Sequence, residues 1–276
     1  MGTRRETRDA LAAAGLRPHR RWGQNFLCDR GVAHRIVELA CPEDAAGVLE
    51  VGPGLGALTD ELAARARRLV LVEIDRGLAA RLEERYADDP RIAVIVGDVR
   101  ELPLAELVAA PATVVGNLPY NVATPILFRL LDVRAHFPHA VVMLQREMAL
   151  RLAAGPGTDA YGVTSVILQA FGEVRVAFGV SRRSFLPSPD VDSAVVDIRW
   201  SAQPRVDVGA DEAHFRAVVR AAFGKRRKML RNALADLGRR PAALEAAFAA
   251  ARVDPRARAE TLDLAAFGRL ARALAA

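Results

Sequence analysis

Leu49-Glu50-Val51-Gly52-Pro53-Gly54-Leu55-Gly56-Ala57-Leu58 sets three glycines at alternate positions between an apolar run and the start of a helical pattern. Glycine takes positive φ without strain and lets a ligand approach the backbone closely. A tight turn opening a helix also presents N–H groups without intrahelical partners. The stretch therefore reads as strand, ligand-cradling turn and helix, the beginning of a nucleotide-type site. Gly52, Gly54 and Ala57 also satisfy the loose dinucleotide pattern G-x-G-x-x-G/A, which by itself is weak evidence.

Outward from this turn the chain alternates. Strands are expected at 47–51, 69–74, 92–96, 113–116 and 140–144. Helices are expected at 58–66, 76–87, 104–109 and 124–131, then at 146–154 and 161–170 around a Gly-Pro-Gly loop. The run Leu69-Val70-Leu71-Val72-Glu73-Ile74 is nearly all apolar, as in strands buried on both faces of a parallel sheet. Such alternation defines an open, doubly wound sheet. The rhythm breaks at 173–180 and 193–200, two alternating strands with no helix between them, expected as an antiparallel pair at the sheet edge. After Pro204 the pattern is helical, with about four helices. Before the sheet, a helix over 3–14 ends at Gly15, and Asp29 is placed to cap a helix over 30–40. Between them, residues 17–27 mix basic, aromatic and polar types without a period, an ordered arm in which Trp22, Phe26 and Leu27 need something to pack on.

The chain has 276 residues, enough for one large domain and a small one. No apolar run is long enough for a membrane span, and the polar first residues do not look like a secretory signal. Cys28 and Cys41 make no disulfide framework, which fits a reducing cytoplasm. Residues 1–30 hold seven Lys/Arg against three Asp/Glu, net +4; residues 31–200 are net −5; residues 201–276 hold 15 against eight, net +7. Positive ends around an acidic middle point to a polyanionic partner, with solvated helix faces as the plainer account. The five histidines show no metal-ligand spacing with each other or with the cysteines, so no metal is expected.

Ligands of such sheets bind beyond the carboxyl ends of the strands. Four polar features fall there: Gly52–Gly56, Glu73, Asp98, and Asn117-Leu118-Pro119-Tyr120. Glu73 lies 21 residues after Gly52, where a carboxylate can hold a ribose diol of a dinucleotide or of S-adenosylmethionine (SAM). The last feature separates the two. An adenine amine is conjugated with its ring and is a poor nucleophile. Acceptors that hold its N–H groups, such as the Asn117 side-chain oxygen and the Leu118 carbonyl, can turn its lone pair out of the ring plane. Pro119 stiffens the turn through its fixed φ, and Tyr120 offers a face to a flipped base, worth roughly 1–3 kcal/mol.

These residues carry a resemblance. Gln24-Asn25-Phe26-Leu27, Glu50-x-Gly52-x-Gly54-x-Gly56, Glu73, Gly97-Asp98 and Asn117–Tyr120 resemble the ribosomal RNA adenine N6-dimethyltransferases. Phe185-Leu186-Pro187-x-Pro189-x-Val191-Asp192-Ser193-Ala194-Val195 and Phe223-x-Lys225-Arg226-Arg227-Lys228-x-Leu230-Arg231-Asn232 are similar to its small-subunit branch. The resemblance implies a Rossmann-like, mostly parallel methyltransferase sheet with an antiparallel edge hairpin over residues 1–203. A small all-helical RNA-binding domain is expected over 204–276. It implies SAM as cofactor, held by Asn25, Leu27, Gly52, Gly54, Gly56, Glu73, Asp98 and Asn117. Asn117 to Tyr120 would be the catalytic turn, and Tyr120 and Phe185 the base-stacking surfaces. Arg20, Arg21, Lys225, Arg226, Arg227, Lys228 and Arg231 would bind RNA, with Lys225, Lys228 and Arg231 on one helix face. The implied substrate is 16S rRNA in the 30S subunit or its precursor, dimethylated at two adjacent adenosines of the 3′-terminal hairpin loop. A cytoplasmic monomer without membrane contact is expected. The family's common Pro-x-Pro-Lys-Val-Asp form is broken here by Asp190 in place of the lysine. Two rival readings stay open: a 23S rRNA adenine methyltransferase of the macrolide-resistance type, and a small-subunit assembly factor acting mainly by binding.

Overall fold

The computed structural model describes residues 3–13, 15, 24–41, 46–209, 211–225 and 228–275. The chain forms two compact units, Met1–Ala149 with Arg175–Trp200, and Leu150–Val174 with Ser201–Ala276. The first opens with helix α1 (Arg4–Ala13), the two-residue strand β1 (Phe26–Leu27) and helix α2 (Arg30–Ala40). Asp29 caps α2 by accepting from the Val32 N–H at 3.1 Å, as its sequence position implies. There follow β2 (Val48–Val51), α3 (Thr59–Arg65), β3 (Leu69–Glu73), α4 (Arg76–Arg85), β4 (Ile92–Val96), α5 (Leu104–Leu107), β5 (Thr113–Asn117), α6 (Ala123–Asp132) and β6 (His139–Gln145). Helices α7 (Arg146–Leu152) and α8 (Val163–Phe171) come next, then β7 (Gly172–Val180), β8 (Phe185–Leu186) and β9 (Ser193–Trp200).

The main sheet runs β4-β3-β2-β5-β6-β9-β7. The pairings from β4 through β6 are parallel, and β9 is antiparallel to β6 with Ser193 opposite Gln145. Every residue of β2 and β3 is buried, so helices cover both faces of these central strands, while β4 at the edge is only partly covered. The chain moves outward from β2 to β3 and β4, then returns to the other side of β2 at β5. The crevice at that reversal is where a doubly wound sheet binds its ligand. Gly116 lets β5 close on β2: a methyl group there would meet the Val51 carbonyl oxygen at 2.5 Å.

The pairing of β1 with β8 is not foreshadowed by periodicity. Phe26 lies opposite Leu186 and Leu27 opposite Phe185. Phe26 packs with Leu11, Leu55 and Leu78, and Leu27 joins the main core with Val37, Met143 and Val195. These burials are the packing that Phe26 and Leu27 require, while Trp22 and residues 17–23 of the arm lie outside the described residues. Arg4 secures the same region, since Nη1 donates to the carbonyls of Arg183 and Phe185 at 3.0 and 2.9 Å.

In the second unit, α9 (Glu212–Gly224), α10 (Leu230–Leu234), α11 (Pro241–Ala251) and α12 (Leu264–Ala275) are the four helices expected after Pro204. Its core holds Phe171, Phe215, Phe248 and Phe267, each at most 1% exposed. A single cut at 203/204 does not describe the compact units, because α8 groups with the C-terminal helices. Val166, Ile167, Leu168, Ala170 and Phe171 leave α8 almost no polar face, so it must be enclosed, and Phe171 meets Phe215 of α9 edge to face at 6.1 Å.

Candidate active site

A cavity of about 480 Å³ opens at the carboxyl ends of β2, β3, β4 and β5. Its walls include Asn25, Leu27, Gly52, Gly54, Glu73, Asp98 and Asn117 through Tyr120, so one crevice gathers all but Gly56 of the residues expected for the cofactor and the catalytic turn. Gly56 is the exception among the glycines. It does not line the cavity, and a methyl group there would face Arg85, Thr59 and Leu82. The third glycine thus serves packing between the turn and α4.

Glu73 ends β3 and is 4% exposed. Its Oε2 accepts from the Gly54 N–H at 3.0 Å and its Oε1 from the Asp75 N–H at 3.0 Å. The carboxylate thereby ties the glycine turn to the next strand end. Gly54 has φ +58°, and its bare α-carbon is needed: a methyl group would press on the Phe26 ring at 3.1 Å. Burial raises the Glu73 pKa above the ordinary carboxylate value, with the two backbone N–H donors opposing the shift. Each carboxylate oxygen has a further lone-pair direction with which to accept a hydroxyl.

Under the turn lies Glu50, 1% exposed, accepting from the Thr59 hydroxyl at 2.8 Å. Burial pushes its pKa up to about 8, and Glu73 and Asp60 add to the rise. At the far wall Asp98 is gripped by Arg100, whose Nε donates to both carboxylate oxygens at 2.9 and 3.0 Å. The Arg100 hydrogen bond holds the Asp98 pKa below its usual range. Ile74 and Val99, next in sequence to Glu73 and Asp98, add apolar lining to the same cavity.

The turn after β5 is fixed on all sides. Asn117 Nδ2 donates to the Asn25 carbonyl at 3.0 Å, the Leu118 N–H donates to Met143 of β6 at 3.1 Å, and the Val122 N–H closes the turn on the Pro119 carbonyl at 3.1 Å. The Tyr120 hydroxyl pairs with the Ser193 hydroxyl at 2.8 Å. Sequence reasoning gave Ser193 no role of its own and missed Ile74, Val99, Arg100 and Asn121 in the lining. These four each follow a recognised strand-end residue by one to four positions, the signal that was available.

Phe185 departs from its expected role. It is fully buried in the main core and absent from the cavity wall, so its ring offers no face to a base. Pairing of β8 with β1 turns the ring inward beside Leu27. The basic cluster also differs. Helix α9 ends at Gly224 and α10 begins at Leu230, so Lys225, Lys228 and Arg231 do not share one helix face, and Lys225 pairs with Asp236 at 2.8 Å. Arg20, Arg21, Arg226 and Arg227 lie outside the described residues.

Apolar lining together with the Asp98 carboxylate suits adenine, a buried carboxylate with spare lone pairs suits a ribose diol, and an open glycine turn suits a methionine end. The donor and acceptor set therefore fits SAM, and with the strand order it defines a SAM-dependent methyltransferase. Comparison with known proteins places the chain more closely. It belongs to the ribosomal RNA adenine dimethylase family, whose profile matches residues 15–276. It is 44% identical to the ribosomal RNA small subunit methyltransferase A of Geobacter metallireducens, over 96% of this chain and 98% of that one. It is 47% identical to the protein of the same name from Anaeromyxobacter dehalogenans, over 94% of each. Among solved structures, the 23S rRNA methyltransferase ErmE is 30% identical with TM-score 0.69, over 91% of this chain and 100% of that one. A dimethyladenosine transferase from Plasmodium falciparum, 23% identical with TM-score 0.73 over 89% and 95%, shares the fold.

Proposed function

We propose that this enzyme dimethylates N6 of two adjacent adenosines in the 3′-terminal hairpin loop of 16S rRNA, on the small ribosomal subunit or its precursor. The observation that carries the reading is the Asn117-Leu118-Pro119-Tyr120 turn, braced at the mouth of the SAM cavity. The substrate assignment is supported by relatives named for the small subunit, at 44–47% identity over nearly the full length. The protein would work in the cytoplasm as a monomer, where ribosomal particles are assembled.

In this reading Glu73 holds the ribose hydroxyls, Asp98 the cofactor adenine amine, and Asn25, Leu27, Gly52 and Gly54 surround the methionine end. SAM supplies a methyl group on a sulfonium whose departure as a neutral thioether needs no acid. The protein's task is to present the amine lone pair. Asn117 has its Nδ2 committed to Asn25, so its Oδ1 is left to accept from the N6–H. The Leu118 carbonyl accepts the second N–H, its peptide held by Met143. Tyr120 stacks on the flipped base. Catalysis is positioning and electrostatics: the new C–N bond makes N6 cationic and its proton acidic, and that proton passes to solvent, so no strong base is needed at the amine. Lys225, Lys228 and Arg231, with the basic arm, would hold rRNA phosphates.

Incubation with labelled SAM and undermethylated 30S particles, followed by mapping of the modified base, tests the assignment. Label in the two adjacent 16S adenosines supports it. ErmE's likeness makes 23S rRNA the second substrate to assay, and label confined to 23S rRNA would overturn the assignment.

A further inference from the structure

Ser193 is the first residue of β9, fully buried and far in sequence from the catalytic turn. Its backbone is aligned with Gln145 of β6, and the neighbouring Asp192 carbonyl accepts from the Arg146 N–H at 2.9 Å. The Ser193 hydroxyl therefore stands at the start of a strand held inside the sheet, between β6 and β7. It meets the Tyr120 hydroxyl at 2.8 Å, while Tyr120 lines the cavity. A free tyrosine ring has several staggered positions, and only one presents its face to a base. Phenylalanine would stack equally well, so stacking alone does not call for the hydroxyl. A hydroxyl anchored in the sheet does account for a tyrosine at this position.

We infer that Ser193 is a positioning residue that locks the Tyr120 ring for base stacking through the hydroxyl–hydroxyl hydrogen bond. The inference rests on the proposed base-stacking role of Tyr120 and adds the device that sets its orientation. It needs only the pair of hydroxyls, so it predicts coupling between two substitutions that are 73 residues apart. Tyr120→Phe removes the anchor and keeps the ring. Ser193→Ala removes the partner and leaves a half-buried phenol unpaired. Once either hydroxyl is gone, losing the other costs nothing more.

The test is a double-mutant cycle on Tyr120→Phe, Ser193→Ala and the pair, with methylation of 30S particles as the assay. Each single change is expected to lower kcat roughly three- to tenfold, the scale of one hydrogen bond. The double variant is expected to be no slower than the slower single one. Melting temperatures are expected to fall by no more than a few degrees, the cost of one hydrogen bond, and S-adenosylhomocysteine affinity, measured by calorimetry, is expected to stay near wild type, which a general collapse of the site would not allow. Multiplying losses, or losses that track cofactor affinity, would overturn the anchor while leaving the methyltransferase reading intact. Absence of adenine methylation by the wild-type enzyme would overturn that reading and the anchor with it.

Discussion

The side-chain amide of Asn117 donates to the backbone carbonyl of Asn25 at 3.0 Å, joining the end of β5 to the N-terminal arm. This hydrogen bond orients the amide by its donor end. In the proposed mechanism Oδ1 is then the end that accepts from the amine donor.

Asn117→Ala should therefore cut kcat by about 10²- to 10³-fold, the range for losing one preorganised catalytic hydrogen-bonding group. RNA affinity should change little, because interactions with phosphates carry it. Single-turnover methylation and filter binding read the two separately. Near-normal turnover would remove Asn117 from the mechanism.

Glu50 gives the protein a stability that depends on pH. Its carboxyl titrates at 4.5 when solvated and at about 8 when folded. Below about 4.5 both states are protonated. Between those values only the unfolded state releases its proton, so stability falls as pH rises through that window and levels off above about 8. Glu50→Gln keeps an acceptor for Thr59 and cannot ionise. Its melting temperature should fall less than that of wild type between about pH 5 and about pH 8.5. Parallel melting curves would show that Glu50 is not protonated in the fold. Glu73, raised in the same direction, is coupled to Glu50, so the difference between the two curves reports the pair rather than Glu50 alone.

Phe185 separates packing from stacking. Phe185→Leu keeps an apolar side chain where a fully buried ring now packs against the core. It should lower stability by about 1–2 kcal/mol through imperfect filling, yet leave kcat near wild type at temperatures where the fold is intact. A selective loss of kcat with unchanged melting would restore Phe185 as a base-stacking surface.

Legibility in the sequence followed the range of the forces involved. Strands β2 and β3 were plain because both faces are buried and their apolar runs are unbroken. The strand-end carboxylates and the Asn117 turn were plain because a doubly wound sheet puts every strand end in one crevice. Residues whose task depends on a distant partner were not. β1 and β8 are two residues each, too short for any period, and are defined only by each other. Ser193 is one letter of an alternating strand in sequence, and only the fold brings Tyr120 to it. Gly56 matched its two neighbours in spacing but packs against α4, since spacing does not reveal which way a turn faces. The three-residue spacing of Lys225, Lys228 and Arg231 implied one helix, but α9 ends at Gly224, a residue that disfavours continuing it.

That break changes what the basic cluster should do. Lys228 and Arg231 are exposed, whereas Lys225 shares its charge with Asp236 at 2.8 Å. If the cluster binds rRNA phosphates, Lys228→Glu and Arg231→Glu should each weaken binding. Each should also reduce the slope of log affinity against log salt, by about one unit for every phosphate no longer neutralised. Lys225→Glu should cost less, because a surface pair already offsets its charge. Binding titrations of a 16S 3′-terminal fragment at several salt concentrations give the slopes directly. Equal slopes for wild type and the Lys228/Arg231 double reversal would mean that these charges only solvate the surface of the second unit.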